Sequence, residues 1–424
     1  MNPRGWTRSF GISWNGSVGN VTHLEDLLLD TKDGDWGLDN PHPDHSPHYV
    51  IRGADFPSAR LGVIDSVPLR YLPDRSVWRR VLQPNDILFE TAGGTKDRPT
   101  GRSLLVSERL LGSFSDPVIG ASFTRFLRPD PSKVHGPFLF WYLQHLYAKG
   151  EMYEYQIQHT GIARFQYTTF AASKDFVLPA RGVQESVSSI LGALDDKIVA
   201  NKRIVRLLTE LTAREYVAVA RPGRSVRIDA IAKEMRRGVT PSYVENGGIT
   251  VINQKCIRDS MVSLEPSRLS AESKRTDDRL LQRDDVLVNS TGQGTLGRAA
   301  RWTDSTRAVV DSHVTVVRFD PEKVNPVCAG TALIQIERQI EALAEGSTGQ
   351  TELRRELLGS LHIQVPPHAR QDEFGDLVHT RDNLIHALKS ESDVLARTLD
   401  VLLPLLVSGN LPVKDAESLV EEVV

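Results

Sequence analysis

Cysteine is scarce in this chain: Cys256 and Cys328 are the two thiols among 424 residues. Neither has metal-ligand neighbours, so a disulfide scaffold and a cysteine-rich metal site are excluded, and both read as buried, reduced thiols of a cytoplasmic protein. Long apolar runs are missing too. None reaches the roughly 18–20 residues that span a bilayer, and the opening MNPRGWTRSF lacks the apolar segment of a secretory signal, so no membrane partner is expected. Charge of one sign is also lacking, with 51 Lys and Arg against 54 Asp and Glu and a net charge of −3. A nucleic-acid surface on such a chain must gather its cations on one face, because the phosphate term needs local charge. Hydrophobic content of 40% and charge of 25% are ordinary for a globular protein. The length implies two to three domains, each able to bury its own core.

Catalytic signatures are missing as well. There is no Walker A lysine, no H-E-x-x-H and no G-x-S-x-G elbow. The Asn/Asp-Pro-Pro-aromatic motif of amino-methyltransferases is absent; Asn40-Pro41-His42 and Asn325-Pro326-Val327 are its nearest strings. The histidines of NPHPDHSPHYV (40–50) match no standard metal spacing. GQGTLG (292–297) formally satisfies G-x-G-x-x-G, but a dinucleotide site needs a helix to start there so that its N-terminus meets the pyrophosphate. The following RAARWTDSTRAVV is too broken by Thr, Asp and Ser for that helix, and a tight hairpin presenting Thr291, Gln293, Thr295 and Arg298 is the better reading.

What the chain does have is a long internal repeat. LPARGVQESVSSILGALDDKI (178–198) returns as VPPHARQDEFGDLVHTRDNLI (365–385). A constant shift of 187 maps Pro179 onto Pro366, Gln184 onto Gln371, Asp195 onto Asp382 and Ile198 onto Ile385. A period this long is a duplicated domain-plus-helix module, not a solenoid repeat. Each copy opens a long amphipathic helix, over about 184–216 and about 371–406. The first seam is Val187, Leu191, Leu194, Ile198, Asn201, Val205 and Leu208, flanked by Ile190, Ile204 and Leu211. The second is Phe374, Leu377 or Val378, Leu384 or Ile385, Leu388, Leu395, Leu399 and Leu402. Pro404 is expected to kink the last turn. At about 1.5 Å per residue each helix is roughly 50 Å long. Two single-seam helices of matching length most simply pair as an antiparallel coiled coil. Asn201 on the seam can fix register, and Arg381 can snorkel its head group to water.

The globular parts read as mixed α/β and echo one another more faintly. NDILFET (85–91) matches DDVLVNS (284–290), and SFTRFLRPDP (122–131) matches HVTVVRFDP (313–321). HTGIARFQY (159–167) matches STGQTELRR (347–355), with Thr160-Gly161 on Thr348-Gly349. WGLDNP (36–41) and RRGVTP (236–241) are Gly-to-Pro turns at comparable places. VINQKCIRD (251–259) puts Asn253, Gln254, Lys255 and Arg258 in or beside one short strand, and YVIRGADF (49–56) with Arg52 is its counterpart. Asn and Gln pair with adenine edges, and Arg and Lys with guanine or phosphate; such clusters are equally often plain solvated faces.

In this order and in two copies, the proline–Gln helix junction, LDDKIVANKRI (194–204), TGQGTLGR (291–298) and LLPLLVSGNL (402–411) resemble the DNA-specificity subunits of Type I restriction–modification systems. The resemblance covers nearly the whole chain. It implies an α+β fold with two mixed α/β target-recognition domains, joined by two long helices that form an antiparallel coiled-coil spacer. The expected divisions are 1–180 and 221–368 for the recognition domains, 181–220 and 369–410 for the spacer helices, and 411–424 for a tail. It further implies a non-catalytic cytoplasmic subunit that reads a split double-stranded DNA target. Two methyltransferase subunits, and through them motor-nuclease subunits, would dock on it, with S-adenosylmethionine, ATP and Mg on the partners and no cofactor in this chain. The candidate DNA-binding residues are Arg52, Lys96, Arg102, Arg164, Asn253, Gln254, Lys255, Arg258, Thr291, Gln293, Arg298 and His313; the first module's longer turn, TAGGTKDRPTGR (91–102), departs from the second. The alternatives are a two-domain protein-binding scaffold without a DNA role and, further off, a nucleotide-binding oxidoreductase built on GQGTLG.

Overall fold

A computed structural model describes residues 13–14, 17–18, 20–95, 98–158, 162–343 and 352–421. The chain divides into two compact units, residues 1–203 with 390–424, and residues 204–389.

In the first unit, alternating apolar residues build a four-stranded antiparallel sheet. Its strands are β1 (Leu28–Asp33), β4 (Ile87–Glu90), β6 (Ser103–Leu105) and β8 (Thr124–Pro129), in the order β1-β8-β4-β6. A second sheet sets β2 (His45–Ile51) between β3 (Leu69–Pro73) and a parallel neighbour, β7 (Val118–Gly120). A third joins β5 (Ala92–Gly94) to the hairpin β9 (Gln156–Gln158) and β10 (Ala163–Phe165). Helix α1 (Gly136–Ala148) has proline in its first turn, where a missing N–H costs nothing, and buries Phe138, Trp141 and Leu143.

The second unit repeats the plan. Strands β11 (Ala232–Arg237), β13 (Val286–Asn289), β14 (Ala299–Arg301) and β16 (Val314–Phe319) run in the order β11-β16-β13-β14. Strand β12 (Ile249–Ile252) pairs in parallel with β15 (Ala308–Val310). Helix α3 (Pro326–Gln335) again begins at a proline. A strand, β14, and not a helix follows GQGTLG, so the dinucleotide alternative lacks the helix it requires.

The matched side chains do the same work in both units. Each sheet places an aspartate against an arginine of the neighbouring strand, Asp86 with Arg128 (2.8 and 2.9 Å) and Asp285 with Arg318 (2.7 Å, both bonds). Each aspartate also accepts the backbone N–H of the residue three positions before it, Gln83 at 2.7 Å and Gln282 at 2.8 Å. The close-approach glycines are Gly34 and Gly238. A Cβ on either would lie 2.0 Å from a backbone carbonyl oxygen. The turn therefore aligns through Gly34, and not through Gly37 as the WGLDNP pairing suggested.

The two long helices are α2 (Arg181–Val219) and α4 (His368–Val407), followed by α5 (Val413–Glu421). Their junctions explain the repeat. Gln184 is buried, accepts the His135 N–H (2.9 Å) and donates to the Pro179 carbonyl (2.9 Å). Gln371 accepts the Asn325 N–H and donates to the Pro366 carbonyl at the same two distances. In the first unit the start of α2 packs Val187, Leu191, Leu194 and Ile198 in one core with Leu395, Leu402 and Leu406 from the end of α4. In the second unit Tyr216 near the end of α2 meets Phe374 and Val378 at the start of α4. The helices are thus antiparallel within each unit.

Val205 and Asn201 are buried as the seam requires, while Leu208, Ile385, Leu388 and Leu399 are half-buried. Val378 is buried where Leu377 is exposed, and Leu384 is exposed beside Ile385. Ile204 and Leu211, expected to flank the seam, point to solvent at 41% and 42% exposure. Asn201 donates to the Glu391 carboxylate (2.6 Å), which Lys197 also approaches (3.3 Å). Arg381 does not snorkel: it is mostly buried, in an ion pair with Glu215 (2.7 Å) and a hydrogen bond to Thr212 (3.1 Å). Pro404 stands inside α4.

Candidate nucleic-acid interface

One corner of the main sheet is built the same way in both units. After β4, the Thr91 N–H donates to the Phe123 carbonyl (2.9 Å); after β13, the Ser290 N–H donates to the His313 carbonyl (2.9 Å). The Gly101 N–H reaches the Glu90 carbonyl and the Glu90 N–H the Arg102 carbonyl (3.1 and 2.8 Å). Gly297, Asn289 and Arg298 repeat that pair of bonds, both at 2.9 Å. Glycine is needed at the turn in each copy: φ is +119° at Gly93 and +103° at Gly292. The Phe165 N–H to Thr91 carbonyl bond returns as Leu353 to Ser290, both 2.8 Å. A single 3-10 turn follows β2 at Gly53–Asp55 and follows β12 at Gln254–Cys256. These bonds make Phe123 equivalent to His313, Arg102 to Arg298, Glu90 to Asn289, Ala92 to Thr291, Arg164 to Glu352, and Gly53 to Gln254.

On that common backbone the side chains differ. In the second unit the Gln254 amide donates to the Thr291 carbonyl (2.9 Å) and also bonds the Thr291 hydroxyl. That hydroxyl meets His313 Nδ1 at 2.9 Å, and His313 is exposed. Beneath them, buried Asn289 donates to the Gln254 and Thr295 carbonyls, each at 3.1 Å, and its own Oδ1 has no partner among the described residues. The arrangement therefore joins Gln254, Thr291 and His313 in one surface network. Gln293 is exposed at the turn tip, and half-buried Arg298 donates to the Gly294 carbonyl (2.8 Å). Lys255 and Arg258 are exposed and make no ion pair among the described residues, and Arg258 is bonded to none of the network. Asn253 caps the 3-10 turn: its Oδ1 accepts from the Lys255 N–H (2.8 Å) and its amide donates to the Pro266 carbonyl (2.6 Å).

In the first unit two of the candidate arginines are occupied internally. Arg102 forms a two-point ion pair with buried Glu90 (2.6 and 2.9 Å) and donates to the Gly53 carbonyl (2.8 Å). Arg52 grips buried Asp55 through two bonds of 2.8 Å and donates to the Ser66 carbonyl (2.7 Å). Burial pushes the Asp55 carboxyl up, but the hydrogen bonds from Arg52 and Ser66 outweigh it and hold the group below the usual carboxylate range. Arg164 is exposed and makes no ion pair among the described residues. Lys96, Thr160, Gly161, Thr348 and Gly349 lie outside the described residues.

Reading the sequence missed Glu90, Asn289 and Phe123. All three stand inside the matched strings NDILFET, DDVLVNS and SFTRFLRPDP, where a position-by-position comparison could have raised them. Among the described residues no group of three His, Cys, Asp or Glu side chains is placed to hold a metal.

The fold is a duplicated scaffold: two like sheets, each with a matching corner, and two long helices. Among solved structures the chain is similar to the S subunit of a Type I restriction–modification system from M. genitalium. The TM-score is 0.57 at 14% identity, over 96% of this chain and 99% of that one. It also matches a chain from a structure on complex assembly and conformational transition of the type I R-M system (TM-score 0.40, 15% identity, 93% and 98% coverage). The HsdS subunit from Thermoanaerobacter tengcongensis matches as well (0.33, 16%, 92% and 97%). The chain has the fold of the M. genitalium S subunit. No family model matches the chain, and no curated protein does.

Proposed function

We propose that the chain is the DNA-specificity subunit of a Type I restriction–modification complex. Each unit reads one half of a split double-stranded target, and the chain carries no catalysis of its own. Residues 1–180 and 221–368 are the recognition domains, and α2 and α4 set the number of unread base pairs between half-sites. Two methyltransferase subunits dock on it, and motor-nuclease subunits join through them; S-adenosylmethionine, ATP and Mg belong to those partners. The observation that carries this reading is the corner built twice on one backbone with different side chains, within a fold like that of an S subunit. A repeated scaffold with diverged exposed residues suits a protein that holds two recognition surfaces of unlike specificity. The Gln254–Thr291–His313 network and exposed Lys255 and Arg258 supply the donors, acceptors and cations that base edges and phosphates accept.

The test is reconstitution. The chain mixed with a methyltransferase subunit, methyl donor and DNA should methylate a defined sequence, and the chain with donor and DNA alone should not. Methylation by the chain alone would refute the reading, as would failure to direct any partner to a sequence.

A further inference from the structure

At three matched positions the two corners differ in chemistry. Where the second unit has Gln254, Thr291 and His313 hydrogen-bonded together, the first has Gly53, Ala92 and Phe123. Gly53 and Ala92 offer no side-chain donor or acceptor, and Ala92 is buried. Phe123 is left 53% exposed, a large aromatic ring in the turn just before β8, with no hydrogen-bonding side chain at the equivalent places. The charge beside it is inverted as well. Exposed Arg164 stands where the second unit has Glu352, whose carboxylate is neutralised by Arg237 at 2.8 Å. In the first unit the residue at the Arg237 position is Asp33, and it pairs with Arg125 (2.8 Å), so Arg164 has no ion pair among the described residues.

An exposed phenylalanine in the same corner as an exposed guanidinium suits one feature of duplex DNA above others. The thymine C5-methyl is the apolar group of the major groove, and it lies within reach of the phosphates that a cation would hold. Resting on the DNA-specificity reading, we propose that Phe123 and His313 occupy the same base-reading position of the two units. Phe123 makes apolar contact with a thymine methyl in one half-site while Arg164 contacts the adjoining backbone. His313, held by Thr291, hydrogen-bonds a base edge in the other half-site.

The experiment uses the chain assembled with its methyltransferase partner. Bound sequences are selected from random duplexes, and affinities are then measured with uracil replacing each thymine of the enriched target in turn. Uracil lacks only the methyl group. In the half-site read by the first unit, one thymine-to-uracil change should weaken binding by about fourfold, the weight of one buried methyl group. Phe123→Ala should abolish that difference, relax selection at that position alone, and leave the other half-site intact. His313→Ala should relax one position in the opposite half-site and keep the uracil effect. Arg164→Ala should weaken all sequences evenly and lower the salt dependence. Uracil tolerated at every position by the wild-type assembly overturns the proposal, as does a uracil effect that survives Phe123→Ala. Loss of the methyltransferase partner on Phe123→Ala also overturns it, because the ring would then be a protein contact. If the wild-type assembly enriches no split sequence at all, the DNA-specificity reading itself fails.

Discussion

Glu90 and Asn289 stand at the same backbone position, yet they give their neighbouring arginines different work. Glu90 is buried and holds Arg102 by two short bonds. Asn289 carries no charge, and the hydrogen bond of Arg298 goes to the Gly294 carbonyl. Removing one partner of a buried ion pair leaves the other charge uncompensated, which costs about 3–5 kcal/mol. Arg102→Ala should therefore destabilise the first unit by roughly that amount in chemical denaturation, whereas Arg298→Ala should cost roughly 1 kcal/mol or less and show in DNA affinity instead. Equal stability losses would mean that the two arginines are not divided in this way. A second residue-scale effect concerns His145, buried in α1. Burial, with the nearby Lys149 charge, pushes its imidazole down to about 4. Between about pH 6.5 and 4 the unfolded chain takes up a proton there that the folded chain does not, so stability falls with acidification by about 1.4 kcal/mol per pH unit. His145→Leu should flatten that slope in urea midpoints measured across this range; an unchanged slope would place the titrating group elsewhere.

At the scale of elements, the helix junctions were legible because identical side chains perform identical bonds. Pro179 with Gln184, and Pro366 with Gln371, satisfy the same buried N–H and carbonyl, so divergence is resisted at those places. The seams were legible for the same reason, since burial constrains Val187, Leu191, Phe374 and Val378 to be apolar. The turns were harder. Any Gly-Pro stretch resembles any other in sequence, and only the 2.0 Å approach of a carbonyl distinguishes Gly34 from Gly37. For Asn253 and Arg102, candidates for DNA contact, residue type does not reveal that their polar groups are already bonded internally. Inserting four residues after Asn201, close to one helical turn, adds roughly 6 Å and nearly keeps the seam's phase. The unread gap should lengthen by about one or two base pairs with both half-sites unchanged. An insertion variant that folds and methylates with the original gap would show that these helices do not set the spacing.

For the whole molecule, near neutrality and duplication fit together. A net charge of −3 gives no general attraction to DNA. On the proposed reading, specificity comes from local groups, and the two corners carry different ones. A scaffold duplicated around matched backbone bonds can diverge at Gly53/Gln254, Ala92/Thr291 and Phe123/His313 without disturbing the fold, because those bonds are made by the main chain. On the proposed reading, each unit reads its own half of a split target. Methylome sequencing of a host carrying this chain with its methyltransferase partner tests it most directly. The expected result is a new methylated motif of two short, unlike specified runs separated by a fixed number of unspecified base pairs. A single contiguous motif, or two identical half-sites, would contradict it.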